Sequence, residues 1–328
     1  MNNPLYPMKI ARTLKPRIWG GPRLQEYLGV SAASEFNVHG ESWEMFEENK
    51  IINGFWAGQS LRTVSEELGS DFLGSISYNR FGKKVPLLTK FIFAGQPLSI
   101  QVHPGDDYVK ANELQQDGFG KEEAWLIIEA QPGAKIIRGF QNGTKLSDIK
   151  KHIEGGTLES ICQQVEVSAG DVILNPPGVV HAIGAGILLF EIQQASDLTY
   201  RLYDYNRRDK NGNLRPLHVE QGLRVIDLEP RVGSKVIAKA REDSWVELVR
   251  TKNFVLTSKE LCGGKNTYVH KSQNSFEIVT VIDGKSQLRS SGSDVTSLSQ
   301  GESAILPAKL GDYQLQGLGK ILRAGLEI

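Results

Sequence analysis

The 328-residue sequence has no surplus of either charge: 38 Lys and Arg stand against 38 Asp and Glu, a formal net charge of zero. A protein dedicated to nucleic acid needs excess cations to release phosphate counterions, so no nucleic-acid partner is expected. No apolar run approaches the roughly 18 residues of a membrane-spanning helix, and no membrane partner is expected either. Residues 1–21 hold no apolar core of the kind a secretory leader carries, so none is anticipated. Cysteine is scarce. Cys162 and Cys262 are the two present and cannot build a disulfide framework, which makes the reducing cytoplasm the expected compartment. Glycine, by contrast, is plentiful: 34 residues, with 13 prolines, imply many tight turns and hence many short strands.

The strand signals agree. Residues 87–93, 124–128 and 187–192 are short apolar runs bounded by glycine or proline. Helical spacing is confined to a few stretches. Leu61, Val64 and Leu68 share a stripe over 60–68, as do Leu146, Ile149 and Ile153 over 144–153. A third helix is expected near Asp106 and Asp107, with Val109 and Leu114 inward, and a short helix or turn around 218–225. The polar stretch 207–214 reads as a loop. The charged stretch 239–243 reads as a boundary, and after it come strand patterns over 246–249, 253–257, 277–282 and 304–306.

An internal repeat supports a division there. Gly170 is followed through an apolar strand by Pro176, and Gly301 by Pro307 in the same arrangement. Each element has a glutamate upstream: Glu123 leads a strand that closes at Pro132-Gly133, and Glu277 one expected to close at Asp283-Gly284. The fold class is therefore mostly β, with two copies of one β-fold and helical insertions in the first. The domains are 1–244, carrying the chemistry, and a smaller 245–328. The second copy lacks the site: Lys309 and Asp312 stand at the positions of the motif glycine and histidine, leaving only His270 and Glu277.

Three segments converge on chemistry. Gln101 and His103 project from one face of an extended segment, and Pro104 biases His103 toward extended backbone. Lys121 and Glu123 lead into a buried strand. Gly170, Pro176, Gly178 and His181 have the spacing of the second sequence motif of cupin folds, which delivers a histidine into the barrel; the first motif is looser here, with Gln101 and His103 at its two histidine positions. Gln101, His103, Glu123 and His181 thus suit one borderline divalent cation, zinc first, with iron, manganese or cobalt as alternatives. His39, His152, His218 and His270 lack such company and are expected at the surface or in packing.

On these residues the sequence resembles the type I mannose-6-phosphate isomerases (phosphomannose isomerases) of the short bacterial form. The markers are Ile18-Trp19-Gly20-Gly21, Ser99 to Pro104, Lys121 with Glu123 and Trp125, Pro176 to Ala182, and Glu191 to Asp204, so the likeness covers nearly the whole chain. The fold it implies is two cupin-like jelly-roll barrels. The activity it implies is interconversion of mannose 6-phosphate and fructose 6-phosphate by proton transfer through an enediol. Zinc ligands carry over to Gln101, His103, Glu123 and His181, the catalytic arginine to Arg201 and the active-site glutamate to Glu191. Glu191 is the expected base, and Arg201 serves either the enediolate or the phosphate. Lys121 is grouped with them as catalytic, while Lys90 and Ser99 are expected to bind the phosphate. A sugar phosphate is the expected small-molecule partner and a homodimer the assembly considered. The competing readings are an iron-dependent cupin dioxygenase and a non-catalytic sugar-binding cupin.

Overall fold

A computed structural model describes residues 4–31, 38–113, 119–209, 211–229, 235–237, 244–263, 267–269 and 273–326. Leu114, His270 and the 239–243 boundary lie outside them. The described residues are mostly β, in three antiparallel sheets of seven, five and eight strands.

Two of these sheets position the site. The seven-stranded sheet runs Lys235–Ile237, Asp171–Asn175, Glu123–Ala130, Ile187–Gln194, Leu87–Ala94, His39–Met45, Thr13–Pro16. The five-stranded sheet runs Tyr200–Tyr203, Ile100–Val102, His181–Ile183, Lys135–Phe140, Cys162–Glu166. Both faces of the seven-stranded sheet are covered, which is why Ile187–Gln194 is buried along its whole length. The two-residue period of a strand still sorts its side chains. Leu188, Phe190 and Ile192 enter a large outer core that also holds Leu126, Phe91, Phe276 and Ile305. Ile187 and Leu189 turn the other way, into a core with Ile92, Trp125, Ile127, Ile136 and Ile183 that fills the space between the two sheets. Every second residue of the central strands therefore points into that inner space.

The eight-stranded sheet is built from Val246–Arg250, Val255–Cys262, Thr267–Val269, Glu277–Ser290, Thr296–Ser299, Ser303–Leu306 and Tyr313–Gly325, together with Met8–Lys9 from the start of the chain. Met8 pairs with Ile305 and Lys9 with Ala304. The outer core spans both halves, so burying one half's apolar face depends on the other. The repeat appears in register. Glu123 pairs with Asn175, the residue before Pro176, and Glu277 pairs with Leu306, the residue before Pro307.

Among the helices, Leu61–Leu68 is capped by Ser60, whose hydroxyl accepts from the Thr63 N–H at 3.1 Å. Asp106–Asn112, Leu146–Glu154 and Val219–Val225 form near the expected places. Arg23–Leu28, Ser70–Leu73 and Ser75–Phe81 were not expected; each is four to seven residues long, too short for a periodic stripe to register. The strand after Glu277 was expected to close at Gly284. It continues to Ser290, because Gly284 takes a φ of 77° just after a register shift between Val281 and Asp283, so the ladder bends without ending.

Candidate metal centre and active site

The inward-pointing residues form two cross-strand rows. In the seven-stranded sheet, Trp43, Lys90, Glu191 and Trp125 stand side by side on four neighbouring strands. In the five-stranded sheet, Arg201, Gln101 and His181 do the same on three. Strand alternation makes each row project from one face.

His103, Glu123 and His181 are buried, and one ligand atom of each lies within 4.8 Å of the others. The histidine tautomers follow from their partners. His103 Nδ1 lies 2.9 Å from the Leu198 carbonyl and His181 Nδ1 lies 2.9 Å from the Val179 carbonyl. A carbonyl can only accept, so each ring proton sits on Nδ1 and each Nε2 keeps its lone pair. The two Nε2 atoms face each other at 3.2 Å, and Lys121 Nζ donates to that of His103 at 2.9 Å. Burial and the Lys121 charge press the His103 pKa down to about 3, so its imidazole is neutral. Burial alone would raise Glu123, but the Lys121 ammonium at 2.8 Å holds it well below the ordinary carboxylate range. Its Oε1 is buried without a hydrogen-bond partner, 3.2 Å from His181 Nε2. Two imidazole lone pairs and an unsatisfied carboxylate oxygen at one point fit a divalent cation. Gln101 completes the expected set at the edge: its Nε2 is 3.4 Å from His181 Nε2, and its Oε1 accepts from Ser99 at 3.4 Å.

The turn that leads from Asp171–Asn175 into His181–Ile183 is built for this. The Gly178 N–H donates to the His103 carbonyl at 2.9 Å, and Gly178 has a φ of 86°. A Cβ there would lie 2.9 Å from the Val225 carbonyl oxygen, so only glycine fits.

Glu191 is buried beside this cluster. Trp125 Nε1 donates to its Oε2 at 2.9 Å, and Lys90 Nζ pairs with its Oε1 at 3.1 Å. Burial and the Glu123 charge raise its pKa against the pull of Lys90, Lys121 and the Trp125 N–H. Lys90 is itself buried and also donates to Gln193 Oε1 at 2.6 Å, so its ammonium is engaged on the Glu191 side.

A cavity of about 730 Å³ opens onto this region, lined in part by Lys90, Ser99, Gln101, Lys121, Glu191 and Arg201. Arg17, Glu41, Arg215 and His218 also line it, and none of them carried a functional expectation. Arg17 makes a two-pronged pair with Glu41 at 3.1 and 2.9 Å; although burial would raise Glu41, this pair and Lys90 hold it down to about 2. Glu41 and Trp43 share a face of the His39–Met45 strand, a parity readable from sequence once that strand is recognised. His218, expected at the surface or in packing, lines the cavity against Arg201.

Comparison with known proteins then places the chain. A family model described as "Phosphomannose isomerase type I, catalytic domain" matches residues 8–123, and one described as "Mannose-6-phosphate isomerase, cupin domain" matches residues 247–325. Mannose-6-phosphate isomerase ManA of Bacillus subtilis is 35% identical, covering 96% of this chain and 98% of that protein. A mannose-6-phosphate isomerase of Streptococcus mutans is 31% identical, covering 95% of each. A crystal structure of the mannose 6-phosphate isomerase from Bacillus subtilis superposes with a TM-score of 0.82 at 28% identity, covering 97% of this chain and 99% of that one.

Proposed function

Because the chain belongs to the type I phosphomannose isomerase family and interconverts mannose 6-phosphate and fructose 6-phosphate, we propose that Glu191 carries the proton between C1 and C2 beside a single divalent cation. His103, Glu123 and His181 hold that cation, with Gln101 as fourth ligand once its amide turns its oxygen inward. The unsatisfied Oε1 of Glu123 between two imidazole lone pairs supports this reading. The cation, zinc in this proposal, supplies a Lewis acid for the substrate carbonyl when bound.

The residues divide the remaining work. Glu191 is the base, and its raised pKa brings it closer to the substrate's carbon-bound proton. Trp125 and Lys90 fix its two oxygens, so its orientation is set before substrate arrives. Lys121 places a positive charge where negative charge develops on the reacting oxygens, and Arg201, from the facing row, adds a second. The substrate is a sugar phosphate taken from the cytoplasm, and a homodimer is the proposed assembly. Residues 1–244 carry the chemistry, and 245–328 serve as a β scaffold whose core is continuous with theirs.

The observation that carries this reading is the meeting of Glu191 and the His103–Glu123–His181 cluster beside one cavity. A coupled assay with mannose 6-phosphate, before and after chelation and zinc restoration, tests it. Activity should vanish with the metal and return with it, and the C2 proton should exchange with solvent by NMR. Chelation without loss of rate would sink the proposal.

A further inference from the structure

The cavity is electrically uneven. Its buried cations each have a carboxylate: Lys121 has Glu123 at 2.8 Å and Lys90 has Glu191 at 3.1 Å. Its half-buried outer part does not balance. Asp204 Oδ1 is shared between Arg207 and Arg215, the latter at 3.2 Å. Arg207 is otherwise spent on the Pro97 and Asp204 carbonyls and stays off the cavity wall. Arg201 donates from Nη1 to the Pro216 carbonyl at 2.8 Å, and its Nε is buried without a partner. With Asp197, an exposed carboxylate of the cavity lining, two carboxylates thus face three guanidinium groups, a surplus of one positive charge. Across the cavity, Arg17 is neutralised by Glu41 and adds no net charge.

His218 adds a neutral donor. Its Nδ1 accepts from the Arg201 main-chain N–H at 3.3 Å, so its ring proton sits on Nε2. Its own main-chain N–H donates to the Arg201 carbonyl at 2.7 Å, locking the loop that carries Arg215 onto the Arg201 strand. The place expected for phosphate, Lys90 and Ser99, offers less: the Lys90 ammonium is engaged by Glu191 and Gln193, and the Ser99 hydroxyl donates to Gln101.

We propose that Arg215 and His218, flanking Arg201, form the subsite that takes the 6-phosphate of the substrate. The proposal rests on the isomerase reading for the identity of the ligand. A phosphate dianion is large enough in charge to offset the surplus, a guanidinium matches its oxygens in a fork, and the His218 Nε2–H supplies a neutral third contact. Asp204 then acts as a positioning residue that aims Arg215.

The test is binding of inorganic phosphate to the metal-loaded full chain by calorimetry, which requires no turnover. Arg215→Gln should weaken binding roughly tenfold to a hundredfold, the range of a charged hydrogen bond. Arg215→Lys should recover part of the loss, and His218→Leu should weaken binding several-fold. Arg208→Gln, which alters an exposed cation whose Nη1 donates to the Gly212 carbonyl, should leave binding unchanged. Phosphate affinity unaltered by Arg215→Gln and His218→Leu, absent in the wild type, or equally weakened by Arg208→Gln overturns the subsite. A wild type that binds phosphate through Arg215 yet turns over no mannose 6-phosphate overturns the isomerase reading and leaves the subsite standing.

Discussion

Trp125 donates its indole N–H to Glu191 across neighbouring strands at 2.9 Å, and the two residues are direct partners in register. That contact stabilises the ionised carboxylate against burial and the nearby Glu123 charge. Trp125→Phe keeps the ring and removes the donor, so the Glu191 pKa should rise further. The base works only when ionised, and the acid limb of the kcat/KM profile should therefore move to higher pH. Metal content should stay the same. A limb that does not move would mean that Glu191 is not the group titrating.

Metal and base should separate by substitution. His181→Ala removes one imidazole lone pair, and both metal content by elemental analysis and rate should fall together. Glu191→Gln keeps the metal and should cut turnover by about a hundredfold or more, the size expected of a general base.

The Gly178 turn ties the two histidines together. Gly178→Ala forces a side chain into a φ of 86° and against the Val225 carbonyl. The backbone strain alone should cost about 1–2 kcal/mol in chemical denaturation, and metal affinity should fall because the turn that holds His103 and His181 must shift. Unchanged metal affinity would show that the histidines are held independently of the turn.

Away from the cavity, Glu44 gives stability a pH dependence. It is buried, with Ser42 at 2.5 Å and Arg12 at 3.6 Å, and burial pushes its pKa from 4.5 up to about 7. The folded state holds this proton more tightly than the unfolded chain. The stabilisation is complete below pH 4.5 and is lost as pH rises to about 7, on the order of 3 kcal/mol. Glu44→Gln cannot ionise, so its Tm should fall less than that of the wild type between pH 5 and 8. Parallel profiles would refute the assignment.

Much of the candidate metal site was legible because strand alternation and motif spacing are local. Gln101 and His103 share a face by parity, and the Gly170 to His181 spacing delivers the second imidazole. The markers of the resemblance pointed to Glu191 and Arg201 in the same way. The repeat was legible as a glutamate upstream of a Gly-to-Pro element in each half; that each glutamate pairs with the residue before the proline, Asn175 and Leu306, came only from the sheets. Arg215 and His218 were not legible. They sit between the polar stretch 207–214 and the Val219–Val225 helix, and nothing in their spacing reveals that main-chain bonds between His218 and Arg201 fold this segment over the cavity.

Periodicity, turn residues and donor types were written in the chain itself: a mostly β protein, two related halves, and four candidate ligands on identifiable faces. Which strands became neighbours was settled only in three dimensions. The Lys90–Glu191–Trp125 row and the crossing of Met8–Lys9 into the sheet of the second half each join residues tens to hundreds of positions apart. No local pattern encodes such pairings. They arise when collapse must satisfy every buried backbone group and place every buried charge at once.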